Sequence, residues 1–173
     1  RIRLDAHEFY RKIVALTKKG EIKEALELCE NIRHPLAMTL KASLQHSEED
    51  IFEIEKVAER EANRQIHRVE RNLNYLVVVI GVEPLLGFLG TILGLIQAFM
   101  AWERFSESVT VSALASGIYQ AMITTAAGLI IAIPYYVIYH VFLNKVIRIA
   151  QVVNHYSDVW ICSLNECRRE GNK

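Results

Sequence analysis

The sequence has few cysteines, glycines and prolines, and it has no excess of charge of either sign. Its 173 residues include 3 Cys, 8 Gly and 3 Pro, and 20 Lys or Arg balance 20 Asp or Glu. A zero net charge argues against a nucleic-acid-binding protein that depends on bulk positive charge. Three cysteines are too few for a disulfide scaffold and odd in number, so we expect reduced thiols. A hydrophobic content of 51% excludes a disordered chain.

Motifs for catalysis and for metal binding are also missing. The sequence contains no P-loop, no Gly-x-Ser-x-Gly and no His-Glu-x-x-His pattern. The six histidines are scattered, and Cys162 and Cys167 are five residues apart, a spacing that does not suit a zinc knuckle. The sequence therefore indicates neither an enzyme nor a bound metal or cofactor.

Two long apolar blocks dominate the second half of the sequence. Between residues 72 and 144 the charged side chains are Glu83, Glu103, Arg104 and Glu107. The blocks cover residues 75–101 and 113–143. At about 1.5 Å per helical residue, each exceeds the ~30 Å of a bilayer core. Because helices in soluble bundles rarely run so far without a charged face, the blocks predict two transmembrane helices in contact with lipid.

Basic residues beside the blocks predict the orientation of these helices. Four arginines precede the first block: Arg60, Arg64, Arg68 and Arg71. Lys145 and Arg148 follow the second block, so both chain ends should be cytoplasmic and the connecting loop external. The four arginines share one helix face by their spacing. They form either a solvated stripe near anionic headgroups or an electrostatic rim at the cytosolic mouth of a pore.

The segment before the first block has helical periodicity, and the sequence shows no alternating strand pattern. We expect helices over 4–18, 21–31 and 36–45, with Gly20 and Pro35 between them. Residues 47–50 (SEED) resemble a capping box. Because no Gly or Pro occurs from Glu48 to Ile80, one helix should run from the cytosol straight into the membrane. The predicted class is an all-α integral membrane helical bundle with long helices that extend from the cytoplasm into the membrane.

These patterns divide the chain into five expected segments. They are a cytoplasmic helical region over 1–70, a transmembrane helix over 71–102, a periplasmic loop over 103–112, a second transmembrane helix over 113–143 and a cytoplasmic C-terminal helix over 144–173. The chain starts without Met, so we expect it to be part of a longer protein.

The first block carries a ridge of small residues and one carboxylate. The ridge consists of Gly87, Gly90, Gly94 and Ala98. Small residues let helix backbones approach closely in lipid, so the ridge predicts tight helix packing, and Thr91 lies within it. Glu83 lies about two turns earlier, at a depth where a carboxylate must be paired, protonated or near water. It is either a group that handles protons or pairs with a loop, or a residue near the interface that leans out to water.

The second block has a polar centre. Its polar side chains are Gln120, Thr124 and Thr125, and Gly128 and Pro134 follow them in the sequence. A membrane threonine usually bonds back to its own helix. Two threonines and a glutamine opposite Thr91 also favour a polar lining that holds water or accepts a bond from a protonated carboxyl. Hydroxyls and amides do not titrate near neutral pH, so a proton pathway needs a carboxylate from Glu83 or from another subunit.

Residues 84–99 (PLLGFLGTILGLIQAF) and 117–134 (GIYQAMITTAAGLIIAIP) resemble the motifs of the ExbB/TolQ/MotA proton-channel family. The chain is more similar to ExbB/TolQ than to the flagellar stator subunit, which usually has four spans. By this resemblance Thr91 and Thr125 match the pore-facing threonines of the family. Gln120 falls where a Glu is common, and Glu83 falls where a small residue is usual.

The resemblance implies a pore subunit of a proton-driven motor in the bacterial inner membrane. Five copies would surround a dimer of a single-span ExbD/TolR-like partner that supplies an essential Asp, and proton flow would put force on a TonB/TolA-like protein. The family also has a span before the cytoplasmic region, which we expect to lie outside this sequence. A membrane scaffold or sensor without ion flux, and a flagellar-stator-like ion channel subunit, are the alternatives.

Overall fold

The computed structural model describes residues 5–104 and 111–171. Six helices lie in these ranges: α1 (Ala6–Lys18), α2 (Ile22–Glu30), α3 (Pro35–Gln45), α4 (Ile51–Glu70), α5 (Leu73–Arg104) and α6 (Val111–Gly171). Neither range contains a strand, so the predicted all-α membrane bundle is confirmed. Most of the expected loop over 103–112 lies outside the described residues.

The chain divides into two compact units. The polar unit comprises Arg1–Arg71 and Asn144–Lys173, and the apolar unit comprises Asn72–Leu143. Helix α6 is long enough to supply residues to both units. The charged half of the sequence and the apolar blocks therefore form separate packing units.

The polar unit has a hydrophobic core made by α1 to α4 and the C-terminal part of α6. Its largest fully buried side chains include Trp160, Ile13, Leu36, Leu40, Leu44, Ile54 and Val153. Burial of one such side chain contributes roughly 1.5–3 kcal/mol. Tyr10 on α1 and Tyr156 on α6 add a ring contact at 5.1 Å between centroids. The core joins elements more than 100 residues apart in sequence.

Local signals set the ends of the first three helices. The Asp5 carboxylate accepts hydrogen bonds from the backbone N–H groups of His7 and Glu8 at 3.1 and 3.2 Å and so begins α1. Gly20 has a φ of 77°, the left-handed conformation that suits glycine after a helix end. Pro35 occupies the first turn of α3, where its missing N–H costs nothing. The helices predicted over 4–18, 21–31 and 36–45 are confirmed. Each observed helix end lies within two residues of the predicted end.

Two expectations about α4 are wrong. The helix begins at Ile51 after Asp50, whereas the Ser47 backbone N–H bonds back to Leu44 at 3.1 Å in the turn that follows α3. Ser47 is therefore not a helix cap, and its carbonyl accepts a bond from Arg168.

The helix also does not run unbroken into the first apolar block. Helix α4 ends at Glu70, two turn residues follow, and α5 starts at Leu73. Asn72 is one of these turn residues, and the side chain of Asn competes with helical backbone bonds. A local break of this kind needs neither Gly nor Pro, so it left no strong signal in the sequence.

The apolar unit consists of α5 and the N-terminal part of α6. Leu73–Glu103 and Ala115–Glu166 are long and apolar enough to cross a membrane, and only 6% and 17% of their most apolar windows are buried. A core helix of a soluble protein would be mostly buried. Instead, large side chains such as Phe88, Ile130 and Val137 are exposed along both helices. Their exposure is the pattern expected of helices in contact with lipid or with other spans.

Candidate functional site

Helices α5 and α6 pack through small residues within the apolar unit. A Cβ atom placed on Gly94 would lie 2.9 Å from the Cβ of Ala121, and one on Gly117 would lie 2.6 Å from the Cβ of Ala98. A Cβ on Gly128 would lie 2.7 Å from the carbonyl oxygen of Glu83. Real Cβ atoms do not approach so closely, so only glycine permits this backbone distance.

The same contact continues at the other two ridge glycines. A Cβ on Gly90 would overlap the Thr124 hydroxyl oxygen, and one on Gly87 would lie 3.1 Å from the Cα of Thr125. The five glycine contacts follow one antiparallel register along the helix pair. The small residues of the ridge therefore bring α5 against the threonine-bearing face of α6 inside one chain.

Both threonines of α6 direct a hydroxyl at the same backbone carbonyl. Thr125 Oγ1 donates to the carbonyl oxygen of Gly87 at 3.1 Å. Thr124 Oγ1 lies 3.5 Å from that oxygen and 2.7 Å from the carbonyl oxygen of Ala121 in its own helix. Because a hydroxyl has one hydrogen, the shorter bond places that of Thr124 on Ala121. Thr125 is then the residue that joins α6 to α5.

Thr91 uses its hydroxyl within α5. Its Oγ1 donates to the carbonyl oxygen of Phe88 at 2.6 Å. All three threonine hydrogens of the site are thus committed to backbone carbonyls of the same chain. The oxygen of a hydroxyl keeps lone pairs after its hydrogen is donated. What these threonines offer to a further group is therefore a hydrogen-bond acceptor.

Glu83 lines an open cavity between α5 and α6. The cavity has a volume of about 220 Å³, and its other lining residues include Gly87, Thr124 and Gly128. Glu83 is half-buried and has no hydrogen-bond or ion-pair partner within residues 5–104 and 111–171. Glu83 and Thr124 therefore line the same cavity, one with a carboxylate and the other with a hydroxyl.

The structure does not bring every predicted site residue into this cavity. Gln120 is exposed, and neither it nor Thr91 lines the cavity. Glu83, Gly87, Thr124 and Gly128 do come together there. Sequence reasoning missed Gly117 and Ala121 as packing residues. Their spacing of four, followed by Gly128 seven residues later, was the available signal for a small-residue face on α6.

The thiol groups and the acidic groups of the described chain offer no metal centre. No group of three or more His, Cys, Asp or Glu in the described residues could hold an ion. Cys29 and Cys162 are free, and burial raises the pKa of the Cys29 thiol to about 12. Cys29 is thus an inert core residue.

Sequence comparison shows which known proteins this chain is similar to. The sequence model described as "MotA/TolQ/ExbB proton channel family" matches residues 31–155. The biopolymer transport protein exbB1 of Vibrio cholerae is 34% identical over 149 residues, which cover 77% of this chain and 65% of that protein. The Tol-Pal system protein TolQ of Haemophilus influenzae is 35% identical over 96 residues, 56% of this chain and 42% of TolQ.

A third relative is the putative biopolymer transport protein ExbB-like 1 of Synechocystis sp., 33% identical over 129 residues that cover 72% of this chain and 50% of that protein. The chain therefore spans less than two thirds of the length of each of these three relatives. The resemblance of the two membrane motifs to ExbB/TolQ proteins is confirmed.

Proposed function

The chain belongs to the MotA/TolQ/ExbB proton channel family, and on this premise we propose that it is an ExbB/TolQ-like pore subunit of a proton-driven motor in the bacterial inner membrane. Helix α5 and the apolar part of α6 are its two spans, and both chain ends are cytoplasmic. The low burial of both apolar helices supports this placement. The subunit transports protons and carries out no catalytic reaction.

The partner is a single-span ExbD/TolR-like subunit whose Asp enters a lumen walled by copies of this chain, five by family resemblance. Thr91 and Thr125 face that Asp. The observation that carries this proposal is that the hydroxyl hydrogens of both threonines are already bonded to carbonyls. Their oxygens therefore accept a bond from a protonated Asp, but they do not donate to a carboxylate.

This asymmetry couples proton binding to movement. A charged carboxylate in the lumen has a high desolvation cost and finds no donor on the threonines, whereas the neutral acid has a low cost and finds an acceptor. Protonation therefore lets the partner advance past the threonines, and loss of the proton returns its Asp to water. Each proton that crosses the membrane supplies about 2.3 kcal/mol per 100 mV. The resulting force acts on a TonB/TolA-like protein.

Glu83 is the residue of this chain that can exchange the proton. Gln120 cannot titrate, and Glu83 is the single acidic residue between 72 and 102. Its place in the α5–α6 cavity beside Thr124 supports a role in passing protons between the lumen and water. Gly87, Gly90, Gly94 and Gly128 hold the two helices together around it.

Proton uptake into liposomes tests the proposal. The chain is reconstituted with and without the ExbD/TolR-like partner, and Thr91→Val, Thr125→Val and Glu83→Gln are compared with wild type. We expect flux only with the partner and a loss on the order of ten-fold or more for each threonine variant, since a hydrogen bond in a dry site is worth about 1.5 kcal/mol. Thr17→Val is the matched control, because the Thr17 hydroxyl bonds back to Ile13 at 2.9 Å on α1.

The outcomes separate the three candidate functions. Wild-type flux in both threonine variants rejects the assigned roles of Thr91 and Thr125. If Glu83→Gln conducts protons as well as wild type does, Glu83 does not handle protons and is instead a residue near the interface that reaches water. Absence of flux with the partner present favours the non-conducting scaffold, for which the threonine bonds to Gly87 and Phe88 serve packing alone. Flux carried by sodium rather than protons favours a stator-like channel.

A further inference from the structure

Helices α4 and α6 leave an acidic groove in the polar unit. The groove has a volume of about 270 Å³. Its floor includes the small buried residues Ala58, Ala62 and Ser157, and its rim carries three carboxylates, Glu55, Glu59 and Asp158. The groove is distinct from the α5–α6 cavity and plays no part in the proton pathway proposed above.

The polar groups of the acidic groove lack partners. None of its three carboxylates has an ion pair or hydrogen bond with another residue that the structure describes. The Ser157 hydroxyl is also unsatisfied, although its residue is only 6% exposed. A buried polar group without a partner is unusual in a folded protein and points to a missing one. A cation with several N–H donors, such as a guanidinium, matches three carboxylates and a hydroxyl.

The same helix carries guanidinium groups on another face. The arginine stripe consists of Arg60, Arg64, Arg68 and Arg71, all exposed or half-exposed. At about 100° per residue, Arg64 lies roughly 140° and Arg68 roughly 180° around α4 from Glu59. Arg64 is bonded to Glu61 at 2.8 Å, whereas Arg60 and Arg68 have no ion pair with a described residue. Helix α4 therefore separates an acidic surface from a basic one.

We propose that the acidic groove receives the arginine stripe of a second copy of this chain. Complementary patches on different sides of one subunit make a head-to-tail contact, which closes into a ring when the rotation between copies permits. The charges of such a contact set its register. The proposal adds a subunit interface outside the spans to the pore subunit proposed above, and it relies on that function only for the presence of neighbouring copies.

Disulfide cross-linking of the full chain in membranes tests this contact. Glu59→Cys and Arg64→Cys are combined in a chain in which Cys162 and Cys167 are replaced by Ser and the buried Cys29 is kept. The two new cysteines lie on opposite faces of α4, so they cannot form a disulfide within one chain. We expect mild oxidation to produce a ladder of covalent oligomers. The matched control replaces Arg64→Cys by Lys23→Cys, an exposed basic residue on α2, and should not produce the ladder.

Charge reversal then tests whether the recognition is electrostatic. In the cross-linking chain, Glu55→Arg or Arg60→Glu alone should lower the yield of the ladder, by up to about five-fold for each exposed pair. Both changes together restore complementarity and should recover the yield. Salt at 1 M, where the Debye length is about 3 Å, should lower the yield in the unreversed chain.

Several outcomes overturn the proposal. One is the absence of a cross-linked ladder between positions 59 and 64 in a chain that is oligomeric by mass and conducts protons. This result leaves the proposed function intact. Another is a cross-link from the cysteine introduced at position 59 only to the co-expressed single-span partner. A third combines two results: charge reversal does not change the ladder, and the arginine variants lose binding to vesicles of anionic lipid. The arginine stripe would then contact lipid headgroups rather than a second copy. A chain that is monomeric by mass overturns the contact and the proposed pore together.

Discussion

At the scale of single residues, the described threonine hydroxyl groups of the apolar unit all bond to backbone carbonyls. Thr91, Thr124 and Thr125 donate to the carbonyl oxygens of Phe88, Ala121 and Gly87, respectively. A threonine whose hydrogen is already used distinguishes an acid from its conjugate base, because only the acid has a hydrogen to donate. The sequence placed these threonines in the spans. It did not reveal which of them bonds across to the other helix.

His34 provides a prediction at the residue scale. Its Nδ1 accepts a hydrogen bond from the backbone N–H of Leu36 at 3.2 Å and so caps α3. Burial lowers the pKa of His34 below its ordinary 6.5. Between these two pKa values the unfolded chain binds more protons, so the free energy of unfolding should fall as the pH drops below about 6.5 and level off below the folded pKa.

The control for His34 is a cap that does not titrate. His34→Asn keeps a side-chain acceptor, so it should retain stability at pH 7.5 and flatten the pH dependence below 6.5, whereas His34→Ala should lose about 1 kcal/mol at pH 7.5. Hydrogen exchange of the α3 amides in detergent measures both effects. An unchanged pH profile in His34→Asn would assign the dependence to another group.

At the scale of elements, helices α5 and α6 pack at a short backbone-to-backbone distance. Gly87, Gly90, Gly94, Gly117 and Gly128 each face backbone or short side chains of the other helix. In lipid this contact has no hydrophobic driving force, so close packing and the Thr125 bond must hold the pair. A helix pair of this kind tolerates little added volume.

Gly128→Ala should therefore weaken the helix pair. Its Cβ would lie 2.7 Å from the Glu83 carbonyl oxygen and 3.2 Å from the Gly87 Cα, both backbone atoms that cannot rotate away. Overpacking typically costs about 1–3 kcal/mol. Unfolding of the purified chain in mixed detergent micelles measures the change in free energy.

Gly81→Ala is the matched control for this substitution. It lies in the same pair of helices, and its Cβ would meet no atom within 4 Å. It should be neutral or slightly stabilising, because Ala is the better helix former by about 1 kcal/mol. Equal losses in the two variants would show that the α5–α6 distance is not set by glycine at position 128.

At the scale of the whole molecule, the chain combines a folded polar unit with an apolar unit that exposes large side chains. Val78, Ile130 and Val137 are 60%, 69% and 56% exposed. An apolar surface of this kind needs lipid or other spans around it. The apolar unit therefore needs a lipid bilayer or other membrane helices around these side chains.

Copurification from membranes should recover the proposed assembly. We expect the full chain to bring down a single-span ExbD/TolR-like protein, and the mass of the complex to correspond to five copies around two partner chains. Native mass spectrometry in detergent gives the stoichiometry directly. A chain that purifies alone as a discrete oligomer, with no single-span protein bound, contradicts the proposed partner.

Several features of this protein were determined by the sequence alone. Hydropathy identified both apolar helices, and Gly20 and Pro35 marked helix ends, because these signals act over a few neighbouring residues. Two motifs indicated the family. The break after Glu70 was missed because no strong helix breaker stands there.

Only the tertiary structure decided the contacts between distant residues. The bond from Thr125 to Gly87, the cavity at Glu83 and the acidic groove that joins Glu59 to Asp158 each depend on segments tens of residues apart. Sequence periodicity predicts which face of a helix a residue occupies, but it does not predict which residues of two helices lie opposite each other. The register follows from the complete packing of one helix against another. The ridge of small residues predicted that a close approach would occur, but not which residues of α6 face the glycines at 87 and 94.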